Sequence, residues 1–197
     1  GRYPSLKIVA NAKTVPMLKG YYGVSEEDVL VMSEGGELSL GSCTLKFYMV
    51  PMVHWPETMV TWVPEEKTVF SGDAFGTFGA VAEDPMDGEG IFEQYRDEMI
   101  RYYSNIVGKY GGPVQSALKK LSALEIKRIC STHGPVWEQN CDKVISLYDK
   151  LSKGETQRGV CIVYGSMYGN TAAAADALAL ECEKIGLPYA IHDLAGN

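Results

Sequence analysis

The sequence has little of what nucleic-acid-binding and membrane proteins require. Its 18 Lys and Arg residues face 25 Asp and Glu residues, which gives a net charge of −7. Nucleic acids and anionic membrane surfaces bind basic patches, so neither is expected as a main partner. No apolar run is long enough to cross a bilayer and no signal peptide opens the chain. These absences predict a cytoplasmic protein that binds neither nucleic acid nor membrane.

Cysteine pairs at recognisable spacings are also missing. The five cysteines are odd in number, scattered, and without a C-x-x-C motif. This pattern disfavours a disulfide framework and a zinc ribbon. We expect free thiols in a reducing compartment at Cys43, Cys130, Cys141, Cys161 and Cys182.

The composition is that of an ordinary globular protein, with 46% apolar and 22% charged residues in a chain of 197. Short β-like runs with turn signals dominate residues 6–70. Apolar residues at helical spacing predict a long amphipathic helix over 91–111. Further helices are predicted over 113–124, with Pro113 at the first position, and over 140–154, with a strand over 126–131 between them.

The polar, glycine-containing segment 153–158 separates two different patterns. Residues 1–152 contain strands followed by helices, which favours sheets covered by helices. Residues 159–197 restart as strand, loop, helix and strand, which predicts the opening of a parallel α/β unit. We therefore place a domain boundary at 153–158.

The loop "GSMYGNT" follows the predicted buried strand "GVCIVY" and precedes a helix that begins near Thr171. Backbone N–H groups and the positive end of the helix dipole converge at such a junction and favour an anion. Neither G-x-x-x-x-G-K-[ST] nor G-x-G-x-x-G is present, which argues against a nucleoside triphosphate or a dinucleotide. A monophosphate such as that of FMN fits better. The alternative is a capped helix after a tight turn, without a ligand.

Two of the three histidines, and one aspartate, follow predicted strands. His54 follows "LKFYMVPMV", Asp73 follows "TVFSG", and His133 follows "IKRICST". Loops at one sheet edge can bring such residues together, and imidazole nitrogen with carboxylate oxygen suits zinc or non-haem iron. Each histidine taken alone is more often a hydrogen-bonded loop residue, and a two-His, one-Asp set needs further ligands. His192 has no matching partner.

Four motifs in this order, "HWPETMVTW", "FSGDAFG", "STHGPVW" and "GSMYGNT", closely resemble those of flavodiiron proteins. That resemblance implies an α/β fold over essentially the whole chain. Residues 1–152 would be the C-terminal part of a metallo-β-lactamase-like αββα domain. Residues 159–197 would be the first βαβ unit of a flavodoxin-like, doubly wound parallel sheet.

The resemblance also assigns roles to individual residues. His54 would bind one iron ion, Asp73 would bridge two, and His133 would bind the other. The phosphate loop of FMN would consist of Ser166, Met167, Tyr168, Gly169, Asn170 and Thr171. The family's H-x-E-x-D-H motif and its later flavin-flanking loops are not found, so we expect this chain to be a fragment.

The activity implied is transfer of electrons from FMN to two non-haem iron ions, which reduce dioxygen to water, nitric oxide to nitrous oxide, or both. The resemblance further implies an electron donor such as rubredoxin or a flavin reductase, and a head-to-tail homodimer. Two alternatives remain: a zinc-dependent hydrolase of metallo-β-lactamase type that uses the same three residues, and a non-catalytic FMN electron carrier.

Overall fold

The computed structural model describes Tyr3, residues 5–81 and residues 84–195. The chain divides into two compact units, residues 1–154 and 155–197. In the part described, no helix combines the length and the apolar character needed to cross a membrane. The strands are β1 (Ile8–Asn11), β2 (Val29–Met32), β3 (Glu37–Ser39), β4 (Thr44–Met49), β5 (Met59–Val63), β6 (Thr68–Gly72), β7 (Arg128–Ser131), β8 (Val160–Tyr164) and β9 (Tyr189–Asp193). The α-helices are α1 (Val15–Tyr22), α2 (Ile91–Tyr102), α3 (Gly111–Leu121), α4 (Cys141–Ser152) and α5 (Asn170–Lys184).

The larger sheet of the first unit has the strand order β3-β4-β5-β6-β7. Pairing is antiparallel from β3 to β6, whereas β6 and β7 are parallel. Strands β4, β6 and β7 therefore run in the same direction, so their carboxyl ends lie at the same edge of the sheet. This edge carries the loops that contain all three candidate ligands.

A separate parallel pair, β1 and β2, is connected through helix α1. The stretch "AKTVPMLKGYYG" predicts a short helix ended by a glycine, and the structure confirms it. Gly23 has φ 64° and donates its N–H to the carbonyl of Lys19, and Val24 donates to that of Leu18, a left-handed cap that a residue with a Cβ adopts only with strain.

The helices α2, α3 and α4 share one hydrophobic core with the five-stranded sheet. Strand residues Val69 and Ile129 and helix residues Met99 and Val144 are all fully buried within it. Burial of each such side chain stabilises the fold by about 1.5–3 kcal/mol before conformational entropy is counted. The core therefore fixes the sheet edge on which the candidate ligands lie.

The region predicted as one long amphipathic helix is α-helical only as far as Tyr102. It continues as a π-helical turn, Tyr103–Val107, and a 3-10 turn, Gly108–Tyr110. Tyr102 is buried on the apolar face of α2, and Tyr103 is buried in the π-helical turn that follows.

Helix α3 begins at Gly111 and not at Pro113 as the sequence predicts. Gly111 approaches the end of α4 so closely that a Cβ there would lie 2.5 Å from the carbonyl oxygen of Ser152. This tertiary contact is not visible in the local sequence.

The second unit is a βαβ arrangement, in which β8 pairs in parallel with β9 and α5 connects them. A small core forms from Ile162, Ala175 and Ala179. The prediction that β8 is a buried strand is wrong for one of its faces, because Cys161 is exposed and Val163 is 55% exposed, whereas Ile162 is buried. Successive side chains of a strand point to opposite faces, and within the described residues α5 covers only one face.

Candidate metal centre and phosphate loop

His54, Asp73 and His133 meet at the carboxyl edge of the five-stranded sheet. His54 lies in the loop after β4, Asp73 directly after β6, and His133 two residues after β7. The Nε2 atom of His54 is 3.0 Å from Oδ2 of Asp73, and the Nε2 atom of His133 is 3.5 Å from Oδ1. The carboxylate thus lies between the two imidazoles and presents one oxygen to each.

These distances suit a shared ion as well as a direct contact. Two donor atoms bound to one ion at about 2.1 Å each lie roughly 3 Å apart. An imidazole N–H donated to the carboxylate gives the same 3.0 Å contact for His54, and metal analysis separates the two cases. Within the described residues, no group of three or more His, Cys, Asp or Glu side chains is arranged to hold an ion by itself. The arrangement places one imidazole nitrogen beside each oxygen of the Asp73 carboxylate.

Hydrogen bonds fix the orientation of the Asp73 carboxylate and of the neighbouring loop. The Thr132 hydroxyl donates to Oδ1 of Asp73 at 2.7 Å. The Ser131 hydroxyl donates to the carbonyl of Gly72 at 3.2 Å and accepts the N–H of His133 at 3.2 Å. Such partners of ligating side chains restrict their rotation and raise metal affinity. Thr132 carries no distinctive sequence signal beyond its position next to His133.

Tyr102 is a further residue of this region that the sequence did not indicate. Its ring lies 5.6 Å from the ring of His133, between centroids. Burial, and then the negative charge of Asp73, raise the pKa of the Tyr102 hydroxyl well above its usual range. The side chain is 3% exposed, so a protonated phenol borders the two candidate ligands. It comes from α2, which is distant in sequence from both ligand loops.

A groove beside His54 connects this edge to solvent. Its volume is about 570 Å³, and its lining includes Trp55, Asn105 and Lys109. Trp55 is 56% exposed, and its ring centroid lies 5.5 Å from that of His54. One side of the candidate centre is therefore accessible to a small molecule. His192, by contrast, is an exposed residue of strand β9 in the other unit.

The six residues of the predicted phosphate loop join β8 to the first residues of α5. Gly169, with φ 85°, precedes the first turn of α5 and donates its N–H to the Ser166 hydroxyl at 3.0 Å. No side chain caps the helix, and no acidic residue lies in its first turn. Met167 and Tyr168 are 85% and 86% exposed. The free backbone donors and the uncompensated helix end fit the phosphate end of a flavin nucleotide.

Known proteins resemble this chain along most of its length. A nitric oxide reductase of Moorella thermoacetica is 29% identical over 89% of this chain and 44% of its own length. The uncharacterized protein MJ0732 of Methanocaldococcus jannaschii is 37% identical over 94% of this chain and 47% of its own. The chain thus spans about half the length of these curated relatives.

Solved structures give the same picture of the fold. The flavodiiron protein from Giardia intestinalis superimposes with a TM-score of 0.87 and 32% identity, covering 96% of this chain and 46% of that one. The rubredoxin oxygen:oxidoreductase from Desulfovibrio gigas does so with a TM-score of 0.86 and 28% identity, covering 94% and 47%. The sequence pattern of the family described as ODP family beta lactamase matches residues 2–134, which include all three candidate ligands. The chain belongs to this ODP beta-lactamase family.

Proposed function

We propose that this chain is part of a flavodiiron oxidoreductase, in which FMN passes electrons to two iron ions that reduce dioxygen to water, nitric oxide to nitrous oxide, or both. The observation that carries the proposal is the Asp73 carboxylate between the imidazoles of His54 and His133. The relatives named nitric oxide reductase and rubredoxin oxygen:oxidoreductase support this reaction class.

The donor chemistry fits iron. His54 and His133 would each supply an imidazole nitrogen, and Asp73 would supply one oxygen to each ion. When bound, the two ions would supply the redox chemistry and the binding position for the diatomic gas. One nitrogen and one oxygen do not complete either ion's coordination, so each ion requires further ligands beyond these three residues.

The surrounding residues of this chain hold the ligands and keep a proton nearby. The hydrogen bond from Thr132 orients the carboxylate of Asp73. Burial, and then the charge of Asp73, raise the pKa of the Tyr102 hydroxyl, so this phenol stays protonated even at alkaline pH and adds no negative charge beside Asp73. The groove next to His54 provides access for a small gas molecule.

The loop Ser166–Thr171 is proposed to hold the phosphate of FMN. Its backbone donors and hydroxyl groups are neutral, and they bind a dianion without placing a cation beside the cofactor. Residues 1–152 would form the metal-binding domain and residues 159–197 the beginning of a flavodoxin-like domain, with 153–158 as the linker. The parallel β8–α5–β9 unit supports this division.

The partners proposed are a diatomic gas, an electron donor such as rubredoxin or a flavin reductase, and a second copy in a head-to-tail homodimer. A rubredoxin-type donor is supported by the names of two relatives, the rubredoxin oxygen:oxidoreductase of Desulfovibrio gigas and a flavorubredoxin of Escherichia coli. A head-to-tail pair would bring the flavin of one subunit to the metal centre of the other.

A zinc-dependent hydrolase is the second candidate, because the matched family is described as beta lactamase and zinc accepts the same nitrogen and oxygen donors. Elemental analysis distinguishes the two functions. Zinc without flavin in the purified intact protein would support the hydrolase, and iron with flavin supports the oxidoreductase.

The proposal is tested by Asp73→Ala, with Asp97→Ala as a matched control. Asp97 is a surface carboxylate with a 90% exposed side chain. We expect Asp73→Ala to lose bound iron and gas consumption in the intact protein while its FMN content is unchanged, and Asp97→Ala to behave as wild type. Unchanged iron content in Asp73→Ala would reject the bridging role.

A further inference from the structure

Asp87 is a buried carboxylate that the proposed chemistry does not use. It is 4% exposed, and it accepts four hydrogen bonds from one short segment. Its Oδ1 accepts the N–H groups of Glu138 and Gln139 at 2.7 and 3.0 Å. Its Oδ2 accepts the N–H of Asn140 at 2.9 Å and its side-chain amide at 2.7 Å. A buried charge with this many donors is stable, and its removal leaves several donors unsatisfied.

Asp87 also holds the chain just after His133. The N–H of Asp87 donates to the carbonyl of Val136 at 2.9 Å, and the N–H of Val136 donates to the carbonyl of Pro85 at 2.8 Å. Together with the four bonds of the carboxylate, these contacts fix residues 136–140 to the segment 85–87. The fixed stretch begins three residues after His133.

The opposite side of the His133 loop is fixed by the sheet. Ile129 of β7 exchanges two backbone hydrogen bonds with Trp137, at 2.8 and 3.0 Å. The indole N–H of Trp137 donates to the carbonyl of Phe75 at 3.2 Å. Phe75 lies two residues after Asp73, so the segment that Asp87 holds is also connected to the loop of the bridging carboxylate.

We propose that Asp87 is a positioning residue for His133: its four hydrogen bonds hold residues 136–140, and thereby set the place of the His133 imidazole relative to Asp73. The inference rests on the proposed function only in regarding His133 as a metal ligand. The effect of Asp87 on the place of the His133 imidazole does not require a metal ion, so it is measured on the metal-free protein.

The test uses imidazole NMR signals, since the chain has only three histidines. In Asp87→Ala we expect the His133 signals to shift or to split, those of His54 to change less because it contacts the other oxygen of Asp73, and those of His192 to stay in place. Asp87→Asn keeps the size of the side chain and one acceptor oxygen but faces Asn140 with a donor, so it should give a smaller change of the same kind.

Gln115→Ala is the matched control. Gln115 donates to the carbonyl and carboxylate of Asp149 and to the Ser152 hydroxyl, at the other end of α4. The substitution Gln115→Ala therefore removes contacts of the same helix, α4, without changing any contact of the His133 loop. An equal shift of His133 in Gln115→Ala and Asp87→Ala would make Asp87 merely structural and overturn the proposal. An unmoved His133 signal in a folded Asp87 variant would also overturn it.

Two further variants keep the outcomes distinct. If Asp87→Ala does not fold, Asp87→Asn and Asn140→Ala provide the measurement, because each removes only part of the hydrogen-bond set. His133→Ala, tested for binding of Fe²⁺, addresses the proposed function separately. Unchanged Fe²⁺ binding in that variant would remove His133 as a ligand, while the NMR result would still decide whether Asp87 positions it.

Discussion

Gly134 and Thr77 approach so closely that a methyl group on Gly134 would lie 2.1 Å from Cγ2 of Thr77. Gly134 also has φ +89°, a backbone conformation that residues with a Cβ rarely adopt. The N–H of Thr77 donates to the carbonyl of His133 at 3.3 Å, so this contact is next to a candidate ligand. The loops that carry Asp73 and His133 are therefore packed together at a point where only glycine fits.

The first prediction is that Gly134→Ala lowers the free energy of unfolding by about 2–4 kcal/mol, because strain and overlap add. Gly154→Ala is the control, since Gly154 has φ +67° but no neighbour within 4 Å of an added Cβ. It should cost about 1–2 kcal/mol from the left-handed backbone alone. Urea denaturation followed by circular dichroism measures both values.

Thr77→Ser separates overlap from strain in the same site. Serine lacks Cγ2 but keeps the hydroxyl that donates to the carbonyl of Phe78 at 2.9 Å. The added methyl would still lie 3.3 Å from Cβ of Thr77, so in the Thr77→Ser background Gly134→Ala should cost less than in wild type but somewhat more than Gly154→Ala. An undiminished cost in the double variant would show that overlap with Thr77 is not the cause.

The second prediction concerns the hydroxyl of Thr132. Thr132→Val keeps the shape of the side chain but removes the donor to Oδ1 of Asp73, which frees the carboxylate to rotate. If the proposed centre is correct, Fe²⁺ affinity should fall by roughly tenfold or more, as for other hydrogen-bond partners of metal ligands. Isothermal titration under anaerobic conditions measures it. Thr132→Ser retains the hydroxyl and should bind like wild type; equal affinity in all three proteins would contradict the prediction.

The convergence of the three candidate ligands could be anticipated because each follows a strand. His54, Asp73 and His133 come after β4, β6 and β7, which run in the same direction. The sequence indicates strand ends but not strand direction, which depends on how β5 pairs with its neighbours. The sequence therefore predicts that each residue lies at a strand end, but only the strand pairing shows that the three ends lie at the same edge of the sheet.

Tyr102 and Asp87 could not be anticipated in this way. Both reach the region from segments that no motif joins to the ligand loops, and their positions depend on tertiary packing. Helical spacing places Tyr102 on the buried face of α2 with Tyr95 and Met99, but it does not show that its ring lies next to His133. Local pattern predicts an amphipathic helix there but not the inserted turn.

The third prediction is a loss of stability at alkaline pH that Cys141 causes in part. Burial, and then the charges of Asp87 and Asp142, raise the pKa of the Cys141 thiol from 9.0 to about 11. Because the folded-state pKa is the higher one, this contribution is fully present below pH 9 and is lost as the pH rises towards 11. The free energy of unfolding should therefore decrease over this interval.

Cys141→Ala should flatten this decrease, as urea denaturation at several pH values will show. Tyr102 and Tyr148 also have pKa values raised by burial, so the variant should retain part of the alkaline loss. Cys161→Ala is the control, because that thiol is exposed to solvent. A variant profile parallel to that of wild type would exclude the contribution of Cys141.

The fourth prediction concerns the backbone of the phosphate loop. Gly169 has φ +85° and no atom within 4 Å of an added Cβ, so any effect of Gly169→Ala comes from the backbone conformation and not from overlap. Gly165→Ala is the control in the same loop, since Gly165 also has open space but no positive φ. If the loop binds FMN, Gly169→Ala should turn the donors at the start of α5 away from the phosphate and weaken binding by roughly tenfold, or about 1.4 kcal/mol. Quenching of flavin fluorescence on titration with the protein measures the affinity. Equal affinity in the two alanine variants would show that the left-handed residue is not needed for the ligand, and absence of FMN binding in the wild-type intact protein would remove the flavin from the proposed function.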